Sequence, residues 1–441
     1  MNRLSSWGTA AASLQWLFFI FANTVVVPIS VGAAFGLSQE EIASILRSAL
    51  IFTGIACVLQ GWIGHRYPLM EGPSGVMWGL ILNLSAASSA MGVSLASIGG
   101  GIATGMILAG VVVLLLGVLK LLSFMQLIFT PMVMSVYLFL LTFQLILIFF
   151  EGMLKVDAEG VLNIPVSLFS FGIVILVSLL KIKGKPAVSN FSILIGMVVG
   201  WVLYLIIFPS DQGTSMQSNG GLLLFPFGTP NLNVGIVLIT FLASMINLSN
   251  TIASVRAASQ LMRKSPHERQ FLRSYMLTGS YSVVAGIFGL VSYAPFASSV
   301  GFLESTRIFD RKPFLIGGAL MSLLGIIPIL GGVLATLPIT VGNAVLFVAY
   351  LQLFGTSLKS LGGYRFNSVT IHRLAGPVLV GIGIMFLDPA IFNQLPALVQ
   401  PLVSNGFIVG VLLAILLEQS VNWEKYEEGS EVQRDAMKKS G

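Results

Sequence analysis

The chain has 441 residues, of which 56% are hydrophobic and only 9% are charged, and its mean hydropathy is +0.93. Soluble domains carry about 25% charged residues, so this composition excludes a soluble enzyme, a nucleic-acid binder and a disordered chain. The net charge of +6 accompanies a single cysteine, Cys57, and three histidines that all lie beside Arg or Lys. We therefore expect no disulfide framework, no bound metal and no catalytic triad.

Apolar runs of about 20 residues, the length that crosses a bilayer as a helix, follow one another along the chain. They predict an all-α polytopic membrane protein with fourteen segments. The predicted segments are 11–34, 42–64, 72–90, 99–119, 124–149, 165–181, 188–209, 233–255, 272–292, 294–309, 313–334, 337–357, 371–388 and 398–418.

The positive charges give the predicted segments an orientation. With fourteen segments and a cytoplasmic N-terminus, only Arg47 and Lys155 of the 23 Lys and Arg residues fall on or near the outer side. Such an excess on one side is what the positive-inside rule requires. Both termini are therefore predicted to be cytoplasmic, in the cell membrane, and the charged tail 419–441 to be a solvated cytoplasmic segment.

Short matches in the same order indicate an internal duplication. Asn23-Thr24 matches Asn250-Thr251, and Leu46-Arg47-Ser48 matches Leu272-Arg273-Ser274. Seven segments are an odd number, so the second copy must be inverted relative to the first, an arrangement typical of transporters. The predicted organisation is a first repeat over 1–210, an extracellular linker over 211–232 and a second repeat over 233–418.

The third and tenth segments are interrupted at corresponding places in the two repeats. The residues at the two interruptions are small or helix-breaking, namely Gly72, Pro73, Ser74 and Gly75 in one and Pro295, Ala297, Ser298 and Ser299 in the other. A broken helix exposes backbone groups that lipid cannot satisfy, so such backbone faces protein or a wet cavity. These residues therefore predict a substrate site at the membrane midplane; close helix packing of small residues is the alternative.

Several stretches resemble the nucleobase:cation symporter-2 family, the nucleobase–ascorbate transporters that include uracil and xanthine permeases. The stretches are LQWLFFIFANTVVVPISVG, YPLMEGPSGVMWG and FTPMVMSVYLFLLTFQL. The family signature contains a Gly followed five residues later by Thr and then a basic residue, which Gly301, Thr306 and Arg307 match. The chain departs from the signature at Ser298 and Ser299.

The resemblance implies short strands before the broken helices of segments 3 and 10, with the substrate held between them. It also implies a core domain from segments 1–4 and 8–11, a gate domain from segments 5–7 and 12–14, and a homodimer. The implied substrate is a purine or pyrimidine base such as xanthine or uracil, and uptake coupled to H⁺ or Na⁺ is implied without any cofactor.

The resemblance also points to individual residues of the site. The family's base-binding Glu falls at Asn247, and the second polar position falls at Ser298. An amide can hold a base edge by donor and acceptor contacts, but it cannot carry a proton. Backbone near Ser74, Gly75 and Ser299 is expected to assist, and further candidates at the site are Gln15, Asn250 and Phe296. Hydrogen bonds between helices and core packing are the alternatives for these three.

Glu71 and Glu304 are the acidic residues near the broken segments, and they are the candidates for ion coupling. A carboxylate inside a membrane segment is costly, which makes it a functional hypothesis. The alternatives are an interaction of Glu71 with a helix N-terminus and an ion pair of Glu304 with Arg307.

Two other functions compete with base transport. An anion transporter of the same seven-plus-seven architecture fits two converging helix N-termini without a site carboxylate. An intramembrane enzyme would need catalytic His, Ser/Lys or paired Asp within the segments, and no His lies in an apolar segment. We therefore expect a transporter rather than an enzyme.

Overall fold

The computed structural model describes residues 5–119, 121, 127–156, 160–185, 188–189, 191–209, 221–361, 364, 366–396, 398–423 and 426. Residues 211–220 of the predicted linker and 427–441 of the predicted tail lie outside the described residues. The described chain is almost wholly helical. In its first half the elements are α1 Ser6–Thr24, α2 Val26–Ala34, α3 Gln39–Trp62, β1 Glu71–Pro73, α4 Gly75–Ala86, α5 Ser88–Met91, α6 Leu95–Val118, α7 Pro131–Met153, α8 Ile164–Lys183 and α9 Ser192–Ile207.

The second half of the described chain is also mainly helical. Its elements are α10 Val234–Asn247, α11 Ser249–Leu261, α12 Glu268–Phe288, β2 Tyr293–Pro295, α13 Ser298–Thr306, α14 Arg311–Ile326, α15 Pro328–Ala335, α16 Ile339–Ser360, α17 Ser368–Met385, a 3₁₀ turn Pro389–Phe392, α18 Gln400–Val403 and α19 Gly406–Ser420.

Seven helical stretches within the described residues are long and apolar enough to cross a membrane, and a bent helix pair adds an eighth. Their mean hydropathy runs from 1.4 to 2.5, which establishes a multi-pass membrane protein. Four further apolar helices are shorter, with 10–17 residues each. The count of fourteen crossings stays a prediction.

Some predicted segments are less regular than their sequences indicate. The segment predicted over 313–334 is two helices, α14 and α15, bent by 87°. Pro328 begins α15, and a proline inside a helix would remove a hydrogen bond and clash with the preceding turn. Segments 1 and 8 are also each interrupted, at Val25 between α1 and α2 and at Leu248 between α10 and α11.

The two strands meet as an antiparallel pair that joins the two halves of the chain. Glu71 pairs with Pro295, Gly72 with Ala294 and Pro73 with Tyr293. The pairing is extended at one end by the Ser74 N–H, which donates to the Ser292 carbonyl at 2.8 Å. At the other end the Phe296 N–H donates to the Met70 carbonyl, also at 2.8 Å. Because the strands are antiparallel, α4 and α13 leave the pair in opposite directions.

The helices pack in two sets. Around the strands, α3 and α1 pack on α14, while α6 packs on α12 and α10. The other set centres on α7 and α16, which pack against each other and against α8, α9, α17 and α19. Small residues allow the closest approaches, as between α3 and α14, where a Cβ on Gly54 would lie 2.4 Å from the Gly318 carbonyl oxygen.

Candidate functional site

A cavity of about 880 Å³ lies between the two sets of helices and ends at the strand pair. This volume is within the range of about 300–1,000 Å³ that is usual for small-molecule sites. Helices α1, α7, α11, α13 and α16 contribute to its walls, together with the first residues of α4. The cavity is therefore bounded by elements from both halves of the chain.

The deep wall consists of the two interruptions that the sequence singles out. Ser74 and Gly75 line it from the first half, and the stretch 294–298 lines it from the second. Phe296 is half-buried there and presents an aromatic ring to the cavity. The Ser298 Oγ is a buried atom on this wall without a protein hydrogen-bond partner. A bound molecule can therefore meet backbone, hydroxyl and aromatic groups at one place.

Asn247 lies immediately behind this wall rather than on it, and it is only 1% exposed. Its Oδ1 accepts hydrogen bonds from Ser74 Oγ at 2.5 Å and from Asn250 Nδ2 at 2.9 Å. Its Nδ2 donates to the Tyr293 carbonyl at 2.9 Å. One amide thus joins α4, α11 and β2, which fixes the positions of the two cavity-lining side chains Ser74 and Asn250.

Two further predicted residues lie on the cavity wall, and one does not. Asn250 and Gln15 both line the cavity and are half-buried. Ser299 is fully buried away from it, because its Oγ accepts a hydrogen bond from the Met70 N–H at 3.0 Å. Its side chain therefore holds the start of α13 against the chain before β1.

The two acidic candidates are separated by the structure. Glu304 is exposed and lines the cavity, together with Lys181, Arg256 and Gln260. Glu71 is completely buried on β1 and does not line the cavity. Its Oε1 accepts a hydrogen bond from Thr278 Oγ1 at 3.0 Å.

The residues of the predicted signature shape the end of α13. Gly301 lines the cavity, and a Cβ built on it would meet no atom within 4 Å. The Thr306 hydroxyl donates to the Phe302 carbonyl at 2.9 Å. Arg307 ends the helix with a left-handed φ of +57°. Thr306 and Arg307 are therefore at the end of the short helix and away from the deep wall.

Sequence reasoning did not single out several residues of the cavity. Tyr350 and Phe19 line it, and both are aromatic residues in apolar runs that offer no distinguishing signal. Asn23 also lines it, and its match to Asn250 in the repeat was a signal that could have identified it. Within the described residues, no group of three or more His, Cys, Asp and Glu side chains could hold a metal ion.

Comparison with known proteins identifies a family whose model matches most of the chain. Residues 8–390 match the model of the permease family Xan_ur_permease. YwdJ of Bacillus subtilis strain 168 is 29% identical over 429 residues, which cover 94% of this chain and 96% of YwdJ. The nucleobase transporter PlUacP of Paenibacillus larvae is 26% identical over 419 residues, covering 91% of this chain and 92% of PlUacP. The uric acid transporter UacT of Escherichia coli K12 is 23% identical over 435 residues, covering 96% and 88%.

Solved structures share the fold at low sequence identity. The transmembrane domain of the cyanobacterial bicarbonate transporter BicA gives a TM-score of 0.62 at 14% identity, covering 94% of this chain and 99% of that domain. SLC26A9 gives a TM-score of 0.65 at 13% identity, covering 93% of this chain and 66% of that protein. At these identities the likeness concerns the fold alone.

Proposed function

Because the chain belongs to the permease family that its residues 8–390 match, we propose that it carries a purine or pyrimidine nucleobase, such as xanthine or uracil, across the cell membrane. The match confirms the resemblance to the nucleobase:cation symporter-2 family, whose members are transporters and not enzymes. The observation that carries the substrate proposal is the deep wall of the cavity, where hydroxyl, amide and backbone groups surround the ring of Phe296.

A flat base would be held by its polar edges and its face. Asn250 and Ser74 present side-chain polar groups from α11 and α4, and Ser298 presents a buried Oγ from α13. A serine hydroxyl can donate and accept a hydrogen bond, and the Asn250 amide carries both a donor and an acceptor. These groups suit the alternating hydrogen-bond donors and acceptors along the edge of a base. Phe296 offers a surface for stacking. Asn247 acts one step behind, by holding Ser74 and Asn250 in place.

The transport cycle is proposed to follow the two sets of helices. The set around the strands corresponds to the proposed core domain of segments 1–4 and 8–11, and the set around α7 and α16 to the gate domain of segments 5–7 and 12–14. Movement of one against the other would expose the cavity to each side in turn, as in transporters built from inverted repeats. The packing of these sets supports the proposal of fourteen crossings in two seven-segment repeats.

The remaining features of this proposal concern orientation and assembly. Lys181 and Arg256, which line the cavity, belong to the positive charges that predict the cytoplasmic side. We therefore propose that the cavity opens toward the cytoplasm and that both termini are cytoplasmic. Uptake is proposed to be coupled to H⁺ or Na⁺. Glu304 at the cavity and Glu71 behind β1 are the candidate coupling residues, and a homodimer is proposed.

A second candidate function is transport of a small anion. Lys181 and Arg256 line the cavity, and the N-termini of α4 and α13 converge on its deep wall. Helix N-termini favour negative charge. The shared fold with BicA, which is described as a bicarbonate transporter, is consistent with this second candidate.

Uptake measurements separate the two candidates. We would measure the uptake of labelled uracil, xanthine, hypoxanthine, guanine, adenine and urate by cells that lack their own base permeases, with and without a protonophore. Saturable uptake of one base is the expected result, and its collapse with the protonophore would indicate proton coupling. A well-expressed protein that takes up none of them contradicts the proposal and directs the assay to bicarbonate, sulfate and small carboxylates.

A further inference from the structure

The Glu71 carboxyl group is the most unusual feature of the core outside the cavity. It is 0% exposed, and one of its oxygens, Oε2, is buried without a hydrogen-bond partner. The other oxygen accepts one hydrogen bond, from Thr278 Oγ1. An ionised carboxylate needs several donors or a cation to be stable in a dry interior, whereas the side chains that interact with this one, Thr278 and Gln60, are both neutral.

The groups around Glu71 do not supply a positive charge. The titratable side chains that face it are Cys57 on α3, Tyr281 on α12 and Tyr293 on β2. Helix α1 also packs against β1, and between Ser6 and Thr24 it carries no titratable side chain. At ordinary pH these groups are neutral, so the carboxyl is surrounded by neutral partners.

The amide of Gln60 adds a second buried acceptor without a hydrogen beside the carboxyl. Gln60 lies beside Glu71, and its Nε2 donates to the Ser274 carbonyl at 3.2 Å and to Thr278 Oγ1 at 3.3 Å. Its Oε1 is buried without a donor. The cluster therefore contains two acceptors without a hydrogen, Gln60 Oε1 and Glu71 Oε2. A proton on Oε2 adds a donor to a cluster that has two buried acceptors without one, whereas an ionised Glu71 adds none.

Two openings adjoin the strand pair that carries the carboxyl. On one side, its strand partner Pro295 lines the large cavity. On the other side, a small pocket of about 10 Å³, room for about one water molecule, is lined by Thr53, Pro73 and Tyr293. The Thr53 hydroxyl donates to the Tyr293 hydroxyl at 3.3 Å, and Tyr293 faces Glu71. Two hydrogen-bonded hydroxyl groups thus line the small pocket, and one of them interacts electrostatically with Glu71.

We propose that Glu71 is the proton-carrying group of this transporter, placed in the core behind the strand pair instead of on the cavity wall. The proton is taken from water on the outer side to form the neutral acid. It is released to water on the inner side when the core moves, and the O–H bond breaks as the carboxylate forms. This proposal rests on the proposed function, because the proton travels in the same direction as the base.

Purified protein in liposomes tests this proposal separately from the substrate assignment. Exchange of labelled for unlabelled base needs no net proton movement, whereas accumulation driven by a pH difference does. For one proton per neutral base, about one unit of pH difference drives about tenfold accumulation. We expect the wild type to perform both, and Glu71→Gln to retain exchange within about threefold while losing the pH-driven accumulation.

Control variants make the outcomes unambiguous. Glu151→Gln, an exposed carboxylate on α7 that does not line the cavity, is expected to keep pH-driven accumulation, and Thr278→Val is expected to keep exchange while shifting the pH dependence of uptake. Accumulation by Glu71→Gln equal to the wild type would overturn the proposal, as would wild-type accumulation that is driven only by a Na⁺ gradient. Absence of exchange by the wild type would instead refute the proposed substrate. Loss of exchange in Glu71→Gln, with an elution profile and a melting temperature like those of the wild type, would also overturn the proton role.

Discussion

The two strand-and-helix units that meet at the cavity have the same order of elements but very different surroundings. In the unit of β1 and α4, all three strand residues and most of the helix are buried. In the unit of β2 and α13, the strand is equally buried, but only Ser299, Phe302 and Leu303 of the nine helix residues are buried. The first unit meets the cavity at Ser74 and Gly75, while the second has one side of its helix on the cavity.

The contacts of single residues show the same difference. A Cβ on Gly75 would lie 2.9 Å from Leu145 Cδ1 of α7, whereas a Cβ on Gly301 would meet nothing within 4 Å. The Ser74 hydroxyl is bonded to Asn247, while the Ser298 Oγ has no protein partner. Two units with the same order of elements thus differ in their contacts, since Ser74 is bonded to the protein behind it while Ser298 presents a hydroxyl without a protein partner to the cavity.

The largest expected effect comes from the residue that joins the two units. Asn247→Ala removes three hydrogen bonds, each contributing about 0.5–1.5 kcal/mol, and it releases Ser74, Asn250 and Tyr293 together. Uptake should fall by about 30-fold or more while the protein still reaches the membrane, measured as initial uptake rate per surface-labelled molecule. The same substitution at Asn83, which is on α4 but does not line the cavity, is the control. Unchanged uptake by Asn247→Ala would show that the junction does not matter.

Glycine substitutions compare the packing of the two units. A Cβ on Gly72 would lie 2.5 Å from Met70 Cε, which must move, and 3.0 Å from Phe296 Cε2, so Gly72→Ala also presses on the Phe296 ring. We expect KM for uptake to rise by about three- to tenfold, a cost of about 1 kcal/mol for a displaced aromatic contact. Gly301→Ala has open space and should transport like the wild type. A larger defect in Gly301→Ala than in Gly72→Ala would mean that the substrate itself occupies the space at Gly301.

Serine substitutions are expected to have the smallest and most informative effects. Ser74→Ala removes a buried hydrogen bond and should lower the free energy of unfolding by about 1 kcal/mol, seen as a lower melting temperature in detergent. Ser298→Ala removes a hydroxyl without a protein partner, so its melting temperature should be unchanged while KM rises by about threefold. If the two variants exchange these effects, the assignment of support to one unit and binding to the other is wrong.

The sequence was most informative about helix breaks, at residue types that have one common effect on a helix. Gly72, Pro73, Gly75 and Pro295 marked the interruptions, because glycine and proline do not sustain a membrane helix without help from neighbouring groups. The bend between α14 and α15 was not predicted, although Pro328 lies there, because proline can also kink a helix mildly. The breaks at Val25 and Leu248 had no such marker, since both residues are common in apolar helices.

Side-chain direction was the part of the site that sequence reasoning could not supply. Ser298 and Ser299 are adjacent and chemically identical, yet one lines the cavity and the other bonds the Met70 N–H. Asn247 and Asn250 share a helical spacing, but the break at Leu248 and the neighbouring strand leave only Asn250 on the wall. Whether a side chain lines the cavity or is buried depends on the groups that pack against it, and those groups are distant in the sequence.

Composition, hydrophobic run lengths and the order of small and helix-breaking residues were enough to predict a polytopic helical membrane protein, and the resemblance of a few stretches pointed to the permease family that residues 8–390 match. These properties act locally, because the cost of placing a polar or helix-breaking residue in a bilayer depends mainly on that residue and its immediate neighbours. Only the tertiary structure decided that Glu71 lies behind the strands, beside Gln60 and Thr278, and that Glu304 lies at the cavity. The two carboxyl groups have the same chemistry, and what separates them is the set of groups that α3 and α12 bring around one of them.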